Sequence, residues 1–234
     1  SRSVAAACAM LKMDCEVHIG AVDAEKVSLN KDISELYGAK IVVVHESTKS
    51  LLPAMASALR SWQSNPDAMY VVGSVAGPSP YPRMVRTWAS VIGRIAKQQF
   101  KQITGKVPST LFCVCGGGSN LMSMAYPLLK DKTEIFAVES AGEGIPTGRH
   151  GATILGGSKM GILLGFKSKV VMKSAQIAES LTEASGLDFA AVGPEVAYLH
   201  DIGRIKFRST TDMEAKKTFL MCCEKLGIVP AIEA

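Results

Sequence analysis

Histidine and tryptophan are sparse in this chain, with four and two among 234 residues. The histidines are scattered, and none of the six cysteines (Cys8, Cys15, Cys113, Cys115, Cys222 and Cys223) falls in a C-x-x-C pair. The ligand spacing of a structural zinc site is therefore missing. Cys113 and Cys115 alternate along an apolar run and Cys222 and Cys223 are adjacent, a usage that predicts reduced, mostly buried thiols in a reducing compartment. No apolar run reaches the ~20 residues of a membrane span, and no signal peptide is visible. Like charges do not gather either: 26 basic and 21 acidic residues leave a net charge of +5, spread so evenly that no nucleic-acid stripe or membrane patch stands out. These gaps predict a cytoplasmic protein without nucleic-acid or membrane partners. Internal repeats, low-complexity tracts and charged linkers are absent too.

What is present is an apolar fraction of 47% with 20% charged residues, the balance of a folded globular protein. The length allows one large α/β domain or two small ones. Residues 4–12 read as a helix of small residues and "CEVHIGA" (15–21) as a strand. "DAEKVSLNKDISELYGA" has the spacing of one helix, with Asp23 as N-cap and Gly38 as its stop. "KIVVVHE" (40–46) is a β-branched strand. "TKSLLPAMASALRSWQS" is an amphipathic helix with Leu51, Leu52, Met55, Leu59 and Trp62 near one face. "AMYVVGSVAG" (68–77) reads as a third strand, so the order points to parallel βαβ units. A turn at "GPSPYP" leads into one long helix, "RMVRTWASVIGRIAKQQFKQI". After it come a strand, "STLFCVC", and a parallel strand, "TEIFAVES" (133–140), then a glycine-rich loop over 140–161. "ILLGFKSKVVMK" reads as strand, "EVAYLHD" as helix and "GRIKFRST" as strand. Thr211-x-x-Glu214 is the capping box of a last helix.

Between the strand "STLFCVC" and the next helix stand Gly116, Gly117 and Gly118. Glycine costs roughly 0.5–1 kcal/mol relative to alanine in ordered structure, so three together ask for a reason. A dinucleotide fingerprint, G-x-G-x-x-G, fails because Leu121 holds the third glycine position, although Glu139 at the end of the following strand suits a ribose-binding acid. A P-loop fails for want of its lysine. A cradle for a phosphate monoester fits better. Successive backbone N–H groups from Gly116 to Asn120 would form a nest at a helix N-terminus, Ser119 would add a hydroxyl donor, and Asn120 would add an amide and cap the helix. A tight strand–helix turn with no ligand is the other reading these glycines allow.

"CVCGGGSN" after a long helix resembles the pyridoxal-phosphate cradle of the tryptophan synthase β-chain family. "GAVDAEKVSLN", "YGAKIVVV", "GSVAGPSPYPRMVR", "ESAGEG", "TGRHGAT", "SGLDFAAVGPE", "YLHDIGRIKFRSTTD" and "LGIVPAIEA" resemble that family's segments in its order. The resemblance implies a fold-type II pyridoxal-phosphate enzyme: two α/β domains with mainly parallel sheets. It places part of the N-terminal domain at 1–88, with a mobile subdomain over about 1–73, and the cofactor-binding domain at 89–234. The implied activity is a lyase-type β-replacement joining L-serine and indole into L-tryptophan, in a β homodimer that can carry tryptophan synthase α chains. Gly116, Gly117, Gly118, Ser119 and Asn120 match the phosphate motif, Gly73 and Ser74 the turn beside the cofactor ring, and Glu233 a glutamate near that ring. Asp188 matches an aspartate that forms a closing salt bridge. Its family partner is an arginine, where this chain has Lys26, which brings charge without a bidentate fork. A monovalent-cation site through backbone carbonyls is implied at Gly116, Gly151, Leu187 and Phe189. Leu163 and Leu164 match stretches of an indole tunnel or serve packing, and His150 reads as a structural loop histidine.

The family's Schiff-base lysine (H-K-x-N), its loop acid (E-T-G-A-G-Q) and a C-terminal serine motif (S-G-R-G-D) have no counterpart in these 234 residues. No catalytic residue is assigned for that reason. The chain also opens inside a helical pattern without Met and closes on "GIVPAIEA". The expectation is a fragment or ordered part of a complete β chain, incomplete at both ends. The alternative is a non-catalytic relative that serves as a binding or assembly subunit.

Overall fold

The computed structural model describes residues 2–47, 51–173 and 176–233. They form two compact units, Ser1–Val72 and Gly73–Ala234. The division falls between Val72 and Gly73, where the sequence reading set a domain boundary at 88/89 and a subdomain limit near 73.

In the first unit, α1 (Arg2–Leu11) precedes β1 (Glu16–Gly20), α2 (Ala21–Lys26), α3 (Ser28–Leu36), β2 (Lys40–Val44) and α4 (Leu51–Ser64). β1 and β2 pair in parallel from Glu16↔Lys40 to Gly20↔Val44. Glu16 stitches this sheet to α4, accepting from Lys40 Nζ and Ser61 Oγ at 2.8 Å each. The Lys40 bond, then the Ser61 bond, pull its carboxyl down to about 2.

Three expectations for this unit need correction. The helix over 23–38 is two helices, because Val27 (φ −118°, ψ 39°) leaves helical geometry and its carbonyl then accepts from the N–H groups of Asn30 and Lys31 to restart the turn. Gly20, not Asp23, is the N-cap; Asp23 lies in the first turn. In α4 Leu51, Leu52, Met55 and Leu59 are half-buried beside the buried Pro53 and Ala54, but Trp62 stays exposed and stacks on Tyr70 at 5.7 Å. The start of that expected helix, at residues 48–50, lies outside the described residues.

The second unit holds α5 (Tyr81–Ala89), α6 (Val91–Thr104), β3 (Thr110–Val114), α7 (Ser119–Ala125) and β4 (Glu134–Gly142). There follow the hairpin β5 (Lys159–Leu163)/β6 (Phe166–Val170) and the antiparallel pair β7 (Met172–Lys173) and β8 (Gln176–Ile177), then α8 (Pro194–Asp201), β9 (Ile205–Thr211) and α9 (Asp212–Leu226). The main sheet is parallel, in the order β3-β4-β9, with Phe112↔Phe136↔Lys206 in one row. Its alternate positions, Cys113, Ile135, Ala137, Ile205 and Phe207, face a core completed by Leu121 and Met122 of α7 and Val196 and Leu199 of α8. The capping box forms: Glu214 N donates to Thr211 Oγ1, and Thr211 N to Glu214 Oε2.

Here too the sequence reading is corrected. Residues 68–77 form no strand. Val75 N donates to Ser119 Oγ and Ala76 N to Ser74 Oγ, so side chains take donors that a ladder would need. The long helix divides at Ser90, a fully buried residue whose hydroxyl donates to Thr87 O at 2.8 Å and accepts from Arg94 Nη1 at 2.6 Å. The apolar stretch 162–173 is not one strand, because Leu164 (φ 45°) and Gly165 (φ 82°) reverse it in the two-residue turn that suits twisted hairpins. Of the six cysteines only Cys113 and Cys115 are buried; the other four are half-buried, and all are free thiols.

Candidate functional site

Strand β3 delivers the chain to Cys115, whose N–H donates to Val138 O at 2.8 Å. The ladder ends there, and three glycines lead into α7. At Gly116 a Cβ would stand 2.8 Å from Leu187 Cα; at Gly117, 3.2 Å from both Ala76 Cβ and Ser74 Oγ; at Gly118, 2.6 Å from Val196 Cγ2. Gly118 also carries a left-handed φ of 98° as the N-cap of α7. Close neighbours on three sides explain the glycines. Asn120, expected to cap, instead lies inside the first turn, where its carbonyl accepts from Ser123 Oγ at 2.7 Å.

Among the described residues, the backbone N–H groups of Gly116, Gly117 and Gly118 find no acceptor. Gly116 and Gly118 are buried. Buried N–H groups are nearly always paired, and successive unpaired donors of this kind make an anion-binding concavity. Ser74 and Ser119 join the same place: Ser119 Oγ accepts from Val75 N at 3.1 Å and donates to Ser74 Oγ at 3.4 Å. A Cβ on Gly73 would meet nothing within 4 Å, so this end of the turn borders open space.

The remaining expected residues gather around segment 185–189. Glu233 accepts from Gly186 N at 3.2 Å. Leu187 packs on Gly116, and Phe189 Cδ1 lies 3.6 Å from the Cβ position of Gly117. Glu233 thus meets the segment that packs on the glycine loop. Leu187 O lies 3.0 Å and 3.4 Å from the Cβ positions of Gly116 and Gly151, which brings three of the four expected cation residues together. That carbonyl also accepts from Phe189 N at 2.9 Å, across an inverse γ-turn centred on Asp188 (φ −78°, ψ 74°). Lys26 closes α2 in the first unit, where burial pushes the Asp23 carboxyl up and Lys26 opposes the rise. Leu163 is buried, and Leu164 sits in the hairpin turn.

Glu139 has a role the sequence did not disclose. It is 1% exposed, and its carboxylate accepts from Thr153 N at 3.0 Å, Ile154 N at 2.8 Å and Leu155 N at 3.0 Å. Both oxygens are spent on the 153–155 turn. Burial pushes its carboxyl up to about 7, against the pull of those three donors. Beneath it, burial drives the Cys115 thiol well above its ordinary range and the Glu139 charge adds to the rise, while burial lifts Cys113 to about 11. Thiols held protonated in this way are packing groups. His150 is buried against Gly156, and desolvation lowers its pKa. Gly193 and Val196, which wall the loop, were also missed; their only sequence signal is a Gly-Pro helix start.

A family model described as pyridoxal-phosphate dependent enzyme matches residues 1–234. The tryptophan synthase beta chain of Methylobacterium nodulans is 42% identical over 99% of this chain and 57% of its own length. That of Dinoroseobacter shibae is 41% identical with the same coverage. The chain therefore spans little more than half the length of these curated relatives. Among solved structures, a threonine deaminase (T.th.) superposes with a TM-score of 0.65 at 16% identity, over 99% of this chain and 65% of that one. A fungal L-serine ammonia-lyase from Rhizomucor miehei gives 0.67 at 15% identity, over 99% and 63%. At such identities these two establish the shared fold alone.

Proposed function

This chain belongs to the family of pyridoxal-phosphate dependent enzymes, and on that premise we propose that it works as part of a tryptophan synthase β chain, joining L-serine and indole into L-tryptophan. The observation that carries this reading is the match to tryptophan synthase beta chains at 41–42% identity along the whole chain, against 15–16% for the deaminase and the ammonia-lyase of the same fold. A fold by itself does not choose among reactions.

The loop fits the cofactor's phosphate. The unpaired N–H groups of Gly116, Gly117 and Gly118 offer three donors to one anion, and no Cβ stands in the way. Asn120 would add an amide donor beside them, and the Ser119 hydroxyl would join it by turning from Ser74 Oγ, 3.4 Å away. Pyridoxal phosphate, when bound, supplies an electron sink for chemistry at the substrate's α-carbon. Gly73, Ser74 and Glu233 border its ring in this reading, and the carbonyls of Gly116, Gly151, Leu187 and Phe189 hold a monovalent cation. Asp188 and Lys26 are the charges that answer substrate binding. A mobile subdomain over about 1–73, a domain boundary at 88/89, a β homodimer, a docked α chain and a cytoplasmic setting belong to the same proposal. Among the described residues no helix is long and apolar enough to cross a membrane.

The test uses the natural full-length protein with pyridoxal phosphate and L-serine, offered indole, sulfide or water as the second reactant. L-Tryptophan as the main product is expected. L-Cysteine or pyruvate without L-tryptophan overturns the assignment.

A further inference from the structure

Arg86 lies on α5, away from the glycine loop in sequence, yet it meets the elements that hold the loop. Its Nη1 donates to Glu195 Oε1 at 2.5 Å, and its guanidinium carbon stands 4.1 Å from the centroid of the Tyr126 ring. The side chains of Arg86 and Glu195 are only 16% and 27% exposed. Arg86 Nε is buried and, among the described residues, has no acceptor. The guanidinium is thus held by one carboxylate and one ring.

Each partner leads to the loop. Glu195 is in the first turn of α8. The residue capping that helix, Gly193, donates its N–H to Gly117 O at 2.9 Å, and Val196 sits against Gly118. Tyr126 directly follows α7, the helix that begins at Ser119. α5 itself continues from the turn in which Val75 N donates to Ser119 Oγ. One side chain therefore ties together α5, the first turn of α8 and the residue that follows α7, the three supports of Gly116–Ser119.

We infer that Arg86 is a positioning residue that sets the spacing of the anion-binding loop through Glu195 and Tyr126. The inference rests on the proposed reading that this loop holds the cofactor's phosphate. Lysine would keep the charge but lose the planar group that spans carboxylate and ring together. A loop set wrongly by a fraction of an ångström loses the convergence of its donors on one anion.

The experiment compares dissociation constants of pyridoxal 5′-phosphate and of pyridoxal, which lacks the phosphate, in the natural full-length protein, in Arg86→Lys and in Glu195→Gln. Glu195→Gln keeps the guanidinium on Tyr126 and removes only the charge at α8. In the wild type the phosphate ester binds more tightly; in both variants that preference falls by roughly tenfold to a hundredfold, while pyridoxal binding stays unchanged. The 31P resonance of the bound ester shifts or broadens in step. A wild type that binds both compounds equally overturns the cradle reading itself. A wild-type preference kept in both variants overturns the role of Arg86, as does an equal loss for both compounds, which marks general loosening.

Discussion

The N–H of Gly193 donates to the carbonyl of Gly117 at 2.9 Å, which fixes the start of α8 directly against the glycine loop. The approach is close because residue 193 has no side chain: a Cβ there would stand 2.6 Å from Val75 O, a backbone atom that cannot swing aside. Gly193→Ala is expected to destabilise the second unit by about 1–3 kcal/mol through overpacking and to weaken pyridoxal-phosphate binding. Thermal melts with and without cofactor check both. An unchanged melt and an unchanged dissociation constant would contradict the geometry.

Glu139 makes stability depend on pH. Its folded carboxyl titrates near 7, against an ordinary 4.5, so between those values the folded protein holds a proton that the unfolded chain has released. Its contribution is fully present below about 4.5 and is lost as pH rises through about 7. The thermal midpoint should fall across this window. Glu139→Gln should flatten the slope and lower the midpoint throughout, because its amide nitrogen would face a backbone donor. Melts across the range in both proteins decide it, and equal slopes would sink the prediction.

Asp212 anchors the 180–184 segment from the start of α9. It accepts from Thr182 Oγ1 at 2.8 Å, Glu183 N at 2.9 Å and Ser140 Oγ at 3.2 Å. Asp212→Ala removes the acceptor of Thr182 Oγ1 and Glu183 N, while Ser140 Oγ keeps Thr182 Oγ1 at 2.7 Å, at a cost of about 1–3 kcal/mol. Limited proteolysis should then cut between residues 176 and 184 well before the wild type is cut there; an unaltered digestion pattern would argue against the anchor.

Arg204 donates to four backbone carbonyls: Leu129, Thr133, Leu128 and Asp131, at 2.9–3.2 Å. It closes the connection between α7 and β4. Arg204→Lys cannot reproduce this fan of donors and should raise hydrogen exchange in residues 128–134 nearly as much as Arg204→Ala does. Full protection in the lysine variant would show that charge alone suffices.

The glycine loop was legible in the sequence because close backbone approach on several sides can be written only as glycine. The capping box at Thr211 and Glu214 was legible because its partners are three residues apart. Residues 68–77 misled because "MYVV" has strand composition, while pairing is settled by where another strand lies. The break at Ser90 was hidden because serine is tolerated in helices, and only burial turns its hydroxyl onto Thr87 O. Glu139 was undervalued because its partners are backbone N–H groups, which leave no trace in residue identity. The role of Arg86 was unreadable for a similar reason: Tyr126 and Glu195 are far from it in sequence and meet it only in the fold.

Gly93 extends the reach of the loop beyond its own neighbourhood. A Cβ there would stand 2.6 Å from the carbonyl oxygens of both Ser123 and Met124, so α6 and α7 touch backbone to backbone. Any codon change that adds a methyl group at this seam pushes on the helix that begins with Ser119. Heritable variation at a position that meets no ligand would then surface as a defect in holding one, and a genetic screen for cofactor-deficient alleles would recover it beside the loop's own glycines.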